Sequence, residues 1–190
     1  MSDQIPPPSP LSPPACLPPP ASPRHLSLTL ASLVQLGQPL VGVADVVTQH
    51  WQKYGRNYYS RYDFENVPAD SAAAMMEHMK ASIPTNSGRR MGDFTIATAD
   101  VFEYVDPVDG SLSKNQGVRF LMADGSRIIF RLSGTAGSGA TVRVYLEKYE
   151  ADKSKLLMRA ADALKALVLI ALELSDLKSQ IGTDTPTVIT

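Results

Sequence analysis

Apolar positions recur along this chain with two periods, and the switches between them mark its elements. In VADVVTQHWQKY (43–54), Val43, Val46, Val47, His50, Trp51 and Tyr54 fall at i, i+3, i+4 spacing, which predicts an amphipathic helix stopped by Gly55. His50, inside that stripe and without a second His or Cys at metal spacing, reads as a packed histidine rather than a ligand. RNYYSRYDFENV changes to period two, setting Tyr58, Ser60, Tyr62 and Phe64 against Tyr59, Arg61 and Asp63, the pattern of a strand. Pro68 then opens a second helix, with Ala72, Met75, Met76, Met79 and Ile83 on its core side. Beyond the polar break TNSGRRMGD, the segments FTIATADVFEYV and GVRFLMA read as strands. DPVDGS (106–111) lacks the carboxylate spacing of a calcium loop and reads as a turn, and Asp124-Gly125 as a two-residue hairpin.

Two more strands follow. Ile128, Phe130 and Leu132 alternate with Ile129, Arg131 and Ser133, and Val142, Val144 and Leu146 with Thr141, Arg143 and Tyr145. A single helix over about 153–178 closes the pattern, with Leu157, Leu164, Leu167, Ala171 and Leu174 in its apolar stripe and Gly182 as its stop. Helix, strand, helix, four strands, helix is the order of an α+β domain: an antiparallel sheet with helices packed on one face.

Upstream of this domain the pattern disappears. Residues 1–24 hold most of the prolines and read as a disordered tail of polyproline II character. A proline-motif-binding domain is the partner such a tail (residues 6–23) would suit, with a plain tail as the simpler reading. Residues 25–42 are apolar at helical spacing and read as a degenerate linker or helix. The expected division is therefore 1–24, 25–42 and a folded domain over 43–190.

Composition removes several function classes. A net charge of −1 and a pI near 6.3 supply no broad basic face for nucleic acid. The one cysteine, Cys16, excludes an intrachain disulfide and sets a reducing compartment as the default. No apolar run approaches the ~20 residues of a membrane helix, and no signal-peptide pattern opens the chain, so a soluble, cytoplasmic protein is expected.

The chemistry concentrates at RLSGTAGSGATVR (131–143), dominated by Ser, Thr, Gly and Ala with an arginine at each end. If the flanking strands pair, Arg131 and Arg143 share the face away from the apolar one. Glycines allow backbone N–H groups to turn inward as an anion nest, hydroxyls add donors, and the guanidinium fork suits phosphate oxygens. A flexible glycine-rich hairpin with two surface arginines is the competing reading. A Walker loop is excluded, because no Gly-Lys-Ser/Thr follows and both flanks are strands.

With YVDPVDGSLSKNQGVRFLMADGSRIIF before it and TPTVIT at the end, this stretch resembles the C-terminal domain of phosphoglucomutase, in the alpha-D-phosphohexomutase superfamily. The resemblance runs from about Val43 onward. It departs at GTAGSGAT, where the family often reads GTGSAGAT, and keeps the small-residue character. It implies a TATA-binding-protein-like fold, with no implication for DNA binding. It also implies that Arg131, Ser133, Gly134, Thr135 and Arg143 hold the non-reacting phosphate of a hexose phosphate. The family interconverts glucose 1-phosphate and glucose 6-phosphate with Mg2+ and glucose 1,6-bisphosphate. The parts that do so are a Ser-His-Asn nucleophile, a DGDGDR-like metal loop and a GEESFG-like sugar loop. This chain has no Ser-His, no Asp-x-Asp and no Glu-Glu. No catalytic residue, metal ligand or bound cofactor is therefore expected, and the chain alone should be inactive. A standalone sugar-phosphate-binding or protein-interaction module is the alternative.

Overall fold

The computed structural model describes residues 41–134 and 139–190. The readings made for 1–24 and for 25–40 lie outside the described residues, as does Thr135. In chain order the elements are α1 (Val43–Tyr54), β1 (Arg56–Val67), α2 (Ala69–Asn86), β2 (Arg90–Met91), β3 (Phe94–Val105), β4 (Leu112–Met122), β5 (Arg127–Gly134), β6 (Ala140–Glu150), a 3₁₀ turn (Lys153–Lys155), α3 (Ala160–Ser175), α4 (Leu177–Ile181) and β7 (Val188–Ile189). Every pairing is antiparallel, in the order β2-β3-β4-β5-β6-β1-β7. The fold is α+β: α2 packs across the strands β3 to β6, and α3 lies over β1 and β6.

The period-two alternation of the sheet accounts for its core. Tyr58, Phe64, Ile96, Val118, Phe120, Ile128, Phe130, Val142, Val144 and Leu146 are buried against Met75, Met79, Leu164, Leu167 and Leu174 from the helices. Phe120 and Phe130 meet edge to face, ring centroids 6.2 Å apart. Leu132 keeps the core-side alternation but is exposed, because it sits near the hairpin tip.

Several local expectations are corrected. The helix expected over 153–178 is broken in three. Asp152 caps the 3₁₀ turn by accepting from Ser154 N at 3.0 Å, and Asp176 adopts a left-handed φ of 44° between α3 and α4. Leu156 rather than Leu157 is consequently the buried anchor, Leu157 being 66% exposed. The second helix runs past Ile83 through Pro84 to Asn86, its last turn held by Thr85 Oγ1 donating to Ser82 O and Asn86 Nδ2 to Ser82 Oγ. β4 starts at Leu112, five residues before the expected GVRFLMA. His50 is not packed in a core: it is exposed, its ring 4.8 Å from that of Tyr54, and no residue of α1 is buried.

The turns follow their sequence chemistry. At DPVDGS, Gly110 N donates to Asp106 O and Val108 N to Asp106 Oδ1. At Asp124-Gly125 the expected two-residue hairpin is instead a three-residue one, Ala123 to Gly125: Gly125 N donates to Met122 O and Met122 N to Ser126 O, with Gly125 taking the left-handed position at φ 86°.

Candidate phosphate-binding site

The hairpin expected around 131–143 forms, and its register places the two arginines directly opposite each other, Arg131 on β5 facing Arg143 on β6. Ser133 pairs with Thr141 and Gly134 with Ala140, so both stand at the base of the tip. One strand further, Arg143 is opposite Asp63 on β1. Like charges directly across an antiparallel pair repel, at roughly 0.2–1 kcal/mol. The row contains one answer to that repulsion, the carboxylate of Asp63. It is almost fully buried, lies 2.9 Å from Arg61 Nε and 3.7 Å from Arg143 Nε, and is shared between them. Neither approach is aligned as a hydrogen bond, so the contacts are ion pairs held by proximity.

Arg131 has no such counterion. Among the described residues no acidic side chain pairs with it. Its hydrogen-bond partner is a neutral amide, Gln116 Oε1, which accepts from Nη2 at 3.1 Å. Glu147, the nearest carboxylate along β6, is engaged by Arg127. Two guanidinium groups thus share one carboxylate, and a third, Arg131, stands opposite Arg143 with none, a local excess of positive charge that an oxyanion would relieve.

Two backbone irregularities shape the surroundings. β1 carries one extra residue between Phe64 and Val67, with Asn66 at φ 58°, and this bulge seats the far foot of the hairpin. A Cβ on Gly139 (φ 111°) would lie 3.2 Å from Val67 O and 3.3 Å from Asn66 Cα. On the other side β4 bulges before Gly117, where a Cβ would come within 2.5 Å of Phe130 O and 2.9 Å of Arg131 Cγ. Only glycine permits that approach. Beside the row, an open groove of about 540 Å³ has Tyr59, Phe102, Ile129 and Tyr145 among its lining residues, with Arg61 and Arg131.

Residues 56–187 match the family model for the C-terminal domain of phosphoglucomutase-1. The chain belongs to the phosphoglucomutase family. It is 52% identical over 158 residues to a probable cytoplasmic phosphoglucomutase of Arabidopsis thaliana, covering 80% of this chain and 27% of that protein. With phosphoglucomutase-1 of Bos taurus the identity is 48% over 167 residues, 85% of this chain and 30% of the relative. Among solved structures, the open form of pp63/parafusin, a phosphoglucomutase from Paramecium, matches with a TM-score of 0.74 and 47% identity, over 85% of this chain and 27% of that one. The chain therefore spans about a quarter of the length of the phosphoglucomutases it matches and corresponds to their C-terminal domain.

Of the residues that the motif nominates in this phosphoglucomutase domain, the structure brings Arg131 and Arg143 together and places Ser133 and Gly134 beside them. Sequence reasoning missed Asp63 and Gln116. A signal for Asp63 was present: its alternation with Arg61 puts both on the sheet face opposite Phe64. Gln116 carried none, because only the bulge of β4 brings it to Arg131. Among the described residues no group of three or more His, Cys, Asp or Glu gathers as a metal site, and no helix is long and apolar enough to cross a membrane.

Proposed function

We propose that this domain grips the non-reacting phosphate of a hexose phosphate through Arg131, Ser133, Gly134, Thr135 and Arg143, as the C-terminal part of a glucose 1-phosphate/glucose 6-phosphate mutase. The observation that carries the proposal is the cross-strand pair Arg131–Arg143, in which Arg143 shares the carboxylate of Asp63 with Arg61 and Arg131 has no carboxylate partner among the described residues. Repulsion of this kind is tolerated where a bound anion offsets it. A phosphate accepts from both guanidinium forks, and the hydroxyl of Ser133 and the small residues at the tip let its oxygens approach closely. The grip makes no demand on the sugar's hydroxyl pattern, which suits a site that must hold either end of a bisphosphate in turn. Its binding energy then positions the other phosphate for reaction.

Among the described residues no three or more His, Cys, Asp or Glu side chains gather as metal ligands. Magnesium and the reacting end of glucose 1,6-bisphosphate belong, in this proposal, to parts of the enzyme outside these 190 residues. The domain alone binds without turnover, and the cytoplasm is its compartment, as the names of the Arabidopsis relative and a Solanum tuberosum one suggest for those proteins. NMR titration of the chain with glucose 6-phosphate tests the grip. A dissociation constant on the order of millimolar is expected, with shifts centred on the hairpin and a roughly tenfold loss in Arg131→Ala and in Arg143→Ala. Shifts centred elsewhere, with both variants binding as the wild type, would reject it.

A further inference from the structure

Between Phe102 and Tyr104, β3 advances two residues while its partner β4 advances four, from Gly117 back to Ser113. Lys114, Asn115 and Gln116 therefore bulge from the ladder, and Asn115 takes a left-handed φ of 55° to make the excursion. Bulges re-aim side chains, and this one aims Gln116 at the hairpin. The amide of Gln116 is held at both ends. Its Nε2 donates to Lys114 O at 3.3 Å, which turns Oε1 toward Arg131, where it accepts from Nη2 at 3.1 Å. Gly117, next in sequence, has no side chain to block the stem of Arg131, whose Cγ occupies the space a Cβ would take.

We infer that Gln116 is a positioning residue for Arg131, and that its neutrality is the point of the contact. This rests on the phosphate grip proposed above. A long arginine on a sheet surface loses rotamer freedom when it binds, and a fixed acceptor removes part of that cost beforehand. A carboxylate in the same place would fix the guanidinium equally well but would neutralise it, as Asp63 partly does for Arg143. An amide holds one N–H and leaves the full charge and the remaining donors for the ligand. The two arginines thus differ in role: Arg143 is anchored by a charge, and Arg131 is aimed by a dipole.

The test uses the full chain and inorganic phosphate as the probe, with affinity read by NMR titration and folding checked by the thermal midpoint of each variant. Gln116→Ala is expected to weaken phosphate binding roughly three- to tenfold. In an Arg131→Ala background the same substitution is expected to add nothing, because its effect passes through Arg131. Gln116→Glu, nearly isosteric and still an acceptor, keeps the fold and should weaken binding at least as much as Gln116→Ala. Binding in Gln116→Glu equal to or tighter than the wild type would overturn the role of neutrality. A loss from Gln116→Ala that persists in full without Arg131 would overturn positioning, as would wild-type binding in Gln116→Ala alongside a loss in Arg131→Ala. Should Arg131→Ala itself bind phosphate normally, the grip fails and the inference falls with it.

Discussion

Single residues in this domain matter according to what the sheet register sets opposite them. Asp63 shows it: the type that most often faces water is here 4% exposed, because β1 places it across from Arg143 and two residues from Arg61. Gly117 is the sharper case, since its backbone sits against both Phe130 O and the stem of Arg131. Adding one methyl group there forces either the β4–β5 pairing or the arginine to move. Gly117→Ala is expected to destabilise the domain by about 1–3 kcal/mol in urea unfolding. It should also weaken phosphate binding, whereas Gly88→Ala, with open space around it, should affect stability through its backbone strain alone.

At the scale of elements, the segment after β6 departs from simple periodicity. Leu156 and Leu157 are neighbours, and an unbroken helix over 153–178 would have favoured Leu157 as its core residue. The 3₁₀ turn capped by Asp152 instead rotates Leu156 inward to full burial. Leu156→Ala should cost about 2–5 kcal/mol, and Leu157→Ala less than about 0.5, in parallel denaturant curves. The same turn has a pH signature. Hydrogen bonds from Ser154, side chain at 2.7 Å first and then backbone N–H at 3.0 Å, hold the Asp152 carboxyl below the usual carboxylate range. A depressed folded value means the turn's stabilisation is present above the unfolded carboxylate value and lost as pH falls through the folded one. The stability difference between wild type and Asp152→Ala should be steady at neutral pH and shrink below about pH 4, as thermal midpoints across that range will show.

For the whole molecule, the decisive quantity is the share of a phosphoglucomutase it represents, about a quarter of the relatives' length. On the proposed function the domain contributes binding energy through a phosphate grip, and the nucleophile and metal that use it belong to other parts of the enzyme. The purified chain should leave a coupled assay for glucose 6-phosphate formation at background, with magnesium and glucose 1,6-bisphosphate supplied. Mixed with a fragment carrying the upstream part of a related phosphoglucomutase, it should restore measurable turnover. In that mixture Arg143→Ala should lower kcat/KM by roughly tenfold or more, and Arg159→Ala, at the exposed start of α3, should change it little. Equal behaviour of the two variants would separate the grip from the activity.

Periodicity and turn chemistry by themselves determined most of this domain. The bounds of α1, β1 and β3, the methionine stripe of α2, and the burial of Ile128, Phe130, Val142 and Val144 follow from local repeats. Such repeats are legible because each strand and helix must bury one face against the same core. The arginines at the two feet of the hairpin were likewise visible, since alternation alone puts them on one face. What the sequence could not supply was the relation between strands distant in the chain. That Arg131 and Arg143 stand directly opposite, that Asp63 answers one of them, and that Gln116 reaches the other depend on register and on two bulges. A one-residue slip in either pairing would send every side chain to the other face, and no local pattern encodes which register prevails. Only packing the whole sheet against α2 and α3 decides it.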